Sequence, residues 1–129
     1  MILSFKEQFV FPIKNGTKIH TIREDKANRW TKGREIHFWK GNPRNPATSY
    51  PFKHGTCRKV ETVELNPNTK TFILNEQHRL YESGIRTIAF NDGFEDTDSF
   101  FEWFKAFTND RGWFRGKLIH WTDICYVAL

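Results

Sequence analysis

The chain is poor in cysteine. It has two, Cys57 and Cys125, which lie far apart and make no CxxC pair. That excludes a disulfide framework and points to two reduced thiols in a cytoplasmic protein. Five histidines (His20, His37, His54, His78 and His120) show no zinc-type spacing with each other or with the cysteines, so no metal is expected. His20 and His37 alternate with apolar neighbours and read as packed, hydrogen-bonded side chains. No apolar run approaches membrane-spanning length, and the opening Met1-Ile2-Leu3-Ser4-Phe5-Lys6 lacks a signal-peptide core. Repeats, low-complexity tracts and interdomain linkers are missing too. With 129 residues, the expectation is one soluble domain over residues 1–129, with a single core and no organic cofactor.

Aromatic side chains and positive charge are abundant. Thirteen Phe, five Trp and three Tyr are a heavy load for this length. Twenty Lys and Arg against fifteen Asp and Glu leave a net charge of +5. A basic excess of that size suits a polyanion such as RNA, although many basic proteins bind none.

The hydrophobic pattern divides the chain into short strands followed by helices. Residues 2–5 read as a strand. Residues 6–15, interrupted by Pro12, read as a surface segment leading into the Asn15-Gly16 turn. Strands are expected over 19–23 and 35–39, with a charged stretch holding Trp30 between them. Residues 41–55 contain Pro43, Pro46 and Pro51 and read as a long loop. Residues 57–65 and 70–74 form a predicted hairpin about Asn66-Pro67-Asn68. Ile85, Ile88 and Ala89 then recur at helical spacing up to Asn91-Asp92-Gly93. A second helix starts at Asp96 or Thr97 and runs to about Phe107, apolar over a wide arc. Residues 117–121 and 125–127 supply the last strands. The fold class is α+β, with a small closed barrel and flanking helices as the way to remove sheet edges.

One segment stands out chemically: Gly16-Thr17-Lys18-Ile19-His20-Thr21-Ile22-Arg23. A core strand rarely holds so many polar groups, because burying them unpaired costs several kcal/mol. A pocket wall that grips something polar or anionic is the better reading. Lys18 and Thr21 are three residues apart and would face opposite ways on a regular strand. They converge only if Lys18 sits in the turn before the strand or at a bulge, and Gly16 permits either.

This segment, with Gly16-Thr17-Lys18 followed by Thr21-Ile22-Arg23, resembles the GxKxxTxR signature of the ASCH domain. The strand opening after Gly33, the Asn91-Asp92-Gly93-Phe94 corner with its aromatic helix, and the closing Phe114-Arg115-Gly116-Lys117-Leu118-Ile119-His120-Trp121 fit in the same order. The resemblance spans nearly the whole chain. It implies a PUA-like β-barrel and RNA-related roles. Some compact bacterial members are similar to N4-acetylcytidine amidohydrolases, whose lysine, threonine and acidic residue fall here on Lys18, Thr21 and Asp92. Those enzymes carry a glutamate where this chain has Asp92. The lost methylene shortens the carboxylate by about 1.5 Å, a displacement that can cost about a hundredfold in rate. Other members are assigned RNA cleavage or no activity.

Each candidate has a plainer alternative. A lysine of lowered pKa can take the threonine proton, or Lys18 is a surface charge and Thr21 an ordinary strand residue. Arg23 can hold a phosphate or base edge with its planar fork, or brace the barrel by pairing with Glu24, Asp25 or a distant carboxylate. Asp92 is a base or a helper of the lysine, or simply a good turn residue beside Gly93. Trp30 and Trp113 lie in polar, glycine-containing surroundings and are expected to be accessible for stacking on a base, whereas Trp39 and Trp103 are expected in the core. The expected ligand is RNA or a nucleoside-type small molecule, bound or chemically processed in one pocket.

Overall fold

The computed structural model describes residues 1–124 and Tyr126. The chain is α+β. Strand β1 (Ile2–Phe5) leads through a single 3₁₀ turn (Glu7–Phe9) into the short helix α1 (Val10–Asn15). Strands β2 (His20–Arg23), β3 (Glu35–Lys40), β4 (Tyr50–Thr56), β5 (Lys59–Asn66), β6 (Thr71–Leu74) and β7 (His78–Leu80) follow. Helices α2 (Glu82–Asn91) and α3 (Thr97–Phe104) precede the closing strand β8 (Phe114–His120).

Local chemistry explains most of these elements. In β5 the side chains of Glu61, Val63 and Leu65 alternate inward, as the two-residue period demands. Ile85, Ile88 and Ala89 bury one face of α2. The Asp96 carboxylate caps α3 by accepting from the Ser99 N–H at 2.7 Å, and Phe100, Phe101 and Phe104 then bury against the sheet.

The strands form two sheets. β1, β3 and β4 make one, in that order, and β2, β8, β5, β6 and β7 make the other. One seam between them is crossed by the chain itself. Cys57 exchanges hydrogen bonds with Gly33 and Arg34 beside the first sheet, and the next residue, Arg58, donates to His120 of the second. At the opposite seam, edge strands β1 and β2 share no ladder among the described residues. A side chain spans that gap: Arg23 Nη2 donates to the Ser4 carbonyl at 2.6 Å. Among the described residues, strand pairing therefore does not close a barrel.

Four expectations need correction. Residues 6–15 are largely helical rather than a surface wrap, because Pro12 falls in the first turn of α1, where its missing N–H leaves no bond unmade. The proline-rich stretch 41–55 ends in β4, which tolerates Pro51 because it is an edge strand. β7 carries too little pattern over three residues to be read from sequence. His37 lies on the outward face of β3 with a side chain 46% exposed, not packed inside. The expected strand over 125–127 lies outside the described residues apart from Tyr126. Of the two thiols, Cys57 is free and buried, and Cys125 is likewise outside the described residues. Among the described residues no helix is long and apolar enough to cross a membrane.

Candidate functional site

Lys18 owes its position to the end of α1. Gly16 adopts a left-handed φ of 85°, and the Thr17 and Lys18 amides both donate to the Pro12 carbonyl at 3.0 Å. The Ile19 amide donates to Asn91 O at 2.9 Å, tying this turn to the end of α2. Lys18 thus precedes β2 and turns its side chain into the protein, where only 2% remains exposed. Gly93, with φ of 93°, makes room for it: a Cβ there would stand 3.0 Å from Lys18 Cδ and 3.1 Å from the Phe9 ring.

A buried ammonium needs a partner for each of its three N–H groups. Lys18 Nζ lies 2.9 Å from His20 O, 2.6 Å from Asp92 O and 3.4 Å from Asp92 Oδ1. Its ammonium also sits 4.8 Å from the centre of the Phe9 ring. Burial nevertheless pulls its pKa from 10.5 down to about 8, with the Asp92 charge opposing and the nearby Arg23 assisting.

Asp92 has a second partner. His20 Nδ1 lies 2.9 Å from Asp92 Oδ1, and the other ring nitrogen meets the Tyr126 hydroxyl. Asn91 Nδ2 donates to the same hydroxyl at 3.0 Å. Burial pushes the His20 pKa down, so the ring is neutral, donating from Nδ1 to the carboxylate and accepting at Nε2 from Tyr126. Burial also holds the Tyr126 phenol protonated, well above its usual range. Beside this chain, Glu61 Oε1 accepts from His120 Nε2 and Oε2 from Asn75 Nδ2, both at 2.8 Å. Burial raises the Glu61 pKa, but these hydrogen bonds outweigh it and the acid stays ionised.

Thr21 and Arg23 alternate onto one face of β2, and Arg23 Nε reaches Thr21 Oγ1 at 3.4 Å. The guanidinium stacks 4.8 Å from the Phe5 ring centre while it spans the seam to Ser4. Here lies a cavity of about 550 Å³, which Lys18, Thr21, Arg23 and Asp92 all line. The four polar residues read from the sequence therefore meet. Aromatic side chains, among them Phe5, Phe9, Phe94 and Trp103, supply its remaining walls. Arg23 spans the seam through a backbone carbonyl rather than by an ion pair, and it also lines the cavity.

One tryptophan departs from expectation, and Trp103, packed against the core, also walls the cavity. Trp30 is 6% exposed and belongs to the core. The Asp25 carboxylate accepts from the Arg29 and Trp30 amides and folds this charged loop inward. Trp113 is half-buried, and neither lines the cavity. Trp103 does, with Lys6 Nζ 5.1 Å from its ring centre. Its place on the polar-facing margin of α3 was the only sequence signal. His20, Tyr126 and Glu61 had none beyond being polar groups among apolar ones.

A site of this kind can hold a flat ring between aromatic walls and meet its polar edge with Thr21 and Arg23. Neutral or ionised, Lys18 sits at the same end. No family model matches the chain, and no match was found among curated proteins or solved structures.

Proposed function

We propose that this chain is an ASCH-type domain whose cavity takes a nucleobase or nucleoside, free or within RNA. The observation carrying this reading is the union of Lys18, Thr21, Arg23 and Asp92 in one aromatic-walled cavity. Its volume falls within the range of small-molecule sites, and few convergent polar groups among apolar walls are their usual composition. The fold counterpart is a PUA-like barrel opened at the β1–β2 seam. The direct passage from β4 into β5 and the Arg23–Ser4 bridge support it. The net charge of +5 favours an anionic backbone outside the cavity.

Trp103 offers the readout. Titrating nucleosides and short single-stranded RNAs should quench its fluorescence, and Arg23→Ala should weaken binding. RNA affinity should fall as salt rises, and nucleoside affinity should not. Absence of any ligand-dependent change in fluorescence or heat at low salt rejects the reading.

A second reading is favoured by one observation: the Lys18 pKa of about 8 in the cavity that also holds the Thr21 hydroxyl. Deprotonated Lys18 would take the Thr21 proton as Oγ1 attacks the acetyl carbonyl of N4-acetylcytidine. The cytidine amine then leaves with a proton from Lys18, and water hydrolyses the acyl-threonine. At pH 7 only about a tenth of Lys18 is neutral, so turnover would rise through pH 8. Release of cytidine by wild type, lost in Lys18→Ala and Thr21→Ala and improved in Asp92→Glu, is the expected result. Equal background in all variants eliminates the enzyme and leaves the binding domain.

A further inference from the structure

On the first sheet, β3 and β4 assemble a donor set that linear spacing conceals. Glu35 and His37 lie two apart on β3 and so share a face. His37 stands directly opposite His54 of β4, with imidazole centres 4.8 Å apart. Glu35 Oε2 is 3.9 Å from Nε2 of each histidine. One ligand atom from each of the three residues falls within 4.8 Å of the others. An adjacent irregularity directs His54 outward. Phe38 pairs with Lys53 and Trp39 with Pro51, leaving Phe52 as the extra residue of a bulge. Phe52 turns in against Phe5 and Phe38, and the phase change leaves His54 in solvent.

We propose that Glu35, His37 and His54 form a binding site for a divalent transition-metal ion of the zinc class. Two imidazoles and one carboxylate are the donor types that select Zn²⁺, Ni²⁺ or Cu²⁺ over Mg²⁺ and Ca²⁺. A tetrahedral zinc with bonds of about 2.0–2.1 Å holds its ligands about 3.3 Å apart. From 3.9 Å the Glu35–histidine pairs must close by about 0.6 Å, and the two histidine ligand atoms, within 4.8 Å of each other, by up to about 1.5 Å, movements within reach of rotating exposed side chains. All three side chains are free to rotate, being 46% to 69% exposed. Three protein ligands leave a further coordination position to water, the pattern of an open rather than a closed zinc site. None of the three lines the cavity, so the site stands or falls independently of the nucleoside reading.

Calorimetric titration of the full chain with Zn²⁺ tests the site. Wild type should take one equivalent and give no response to Mg²⁺. His37→Ala and His54→Ala should each lower Zn²⁺ affinity by at least about tenfold, and Glu35→Gln by less. Zn²⁺ should also raise the melting temperature of wild type but not of the His37→Ala/His54→Ala double variant. Melting without metal establishes that every variant is folded. No binding by wild type, or one equivalent still bound by the folded double variant, overturns the site.

Discussion

His20 and His54 are the same residue in opposite circumstances. His20 is fully enclosed, its two ring nitrogens committed to Asp92 and Tyr126. His54 stands on an outward face, its ring packed edge-on to His37 and its Nε2 3.9 Å from Glu35, with a side chain 57% exposed. At His20 burial fixes tautomer, charge and direction together, because leaving either ring nitrogen unpaired in a dehydrated site would be costly. Exposure fixes none of them. The enclosed cluster around Lys18 thus sets the electrostatics of the cavity, and the exposed cluster can rearrange around an ion.

Removing one partner from each cluster should separate them most clearly. Asp92→Ala leaves the Lys18 ammonium and the His20 N–H without their carboxylate, and should cost about 3–5 kcal/mol in denaturant unfolding. His54→Ala should change stability by no more than about 0.5 kcal/mol. Equal losses would abolish the distinction.

The next test sharpens the contrast within the aromatic residues. Trp103→Ala removes a cavity wall and should weaken nucleoside binding by about 1–3 kcal/mol, read by calorimetry. Trp113→Ala removes a ring outside the cavity and should alter affinity less than about twofold.

The pH dependence of stability follows from burial. Lys18 has a pKa of about 8 when folded against 10.5 unfolded, so between these values the unfolded chain binds more protons. Its penalty is therefore relieved as pH rises through that window. From pH 8 to 9.5, wild type should gain about 1–2 kcal/mol relative to Lys18→Met in urea unfolding. Above about pH 10 Tyr126 acts the other way, since its phenol keeps its proton only when folded. On the acid side, the lowered His20 pKa makes the unfolded chain bind more protons, so stability falls as pH drops below 6.5. A flat response between pH 8 and 9.5, identical in wild type and variant, would mean that Lys18 is solvated.

Several features were legible in the residues alone because they depend on near neighbours. Gly16 announced the turn that frees Lys18 from the alternation of β2, and the structure places Lys18 in that turn. The two-residue period put Thr21 and Arg23 on one face, where both reach the cavity. Asp96 as a cap and the apolar face of α2 followed equally from local chemistry. Trp30 was misread because its polar neighbours gave no sign that Asp25 would take up two amides and turn the ring inward.

By itself the sequence determined most of the strands and the two later helices, though not α1, β4 or β7, and it showed which residues carry charge and that a polar segment must find partners. Periodicity, capping and desolvation act over a few residues and need no knowledge of the rest of the chain. Only the tertiary structure decided that Asp92 meets both Lys18 and His20, that Trp103 walls the cavity, and that His37 faces His54. Those contacts depend on strand register, on one bulge at Phe52, and on the docking of α2 beside β2. Register and docking are settled by packing across the whole core, so no window of sequence contains them.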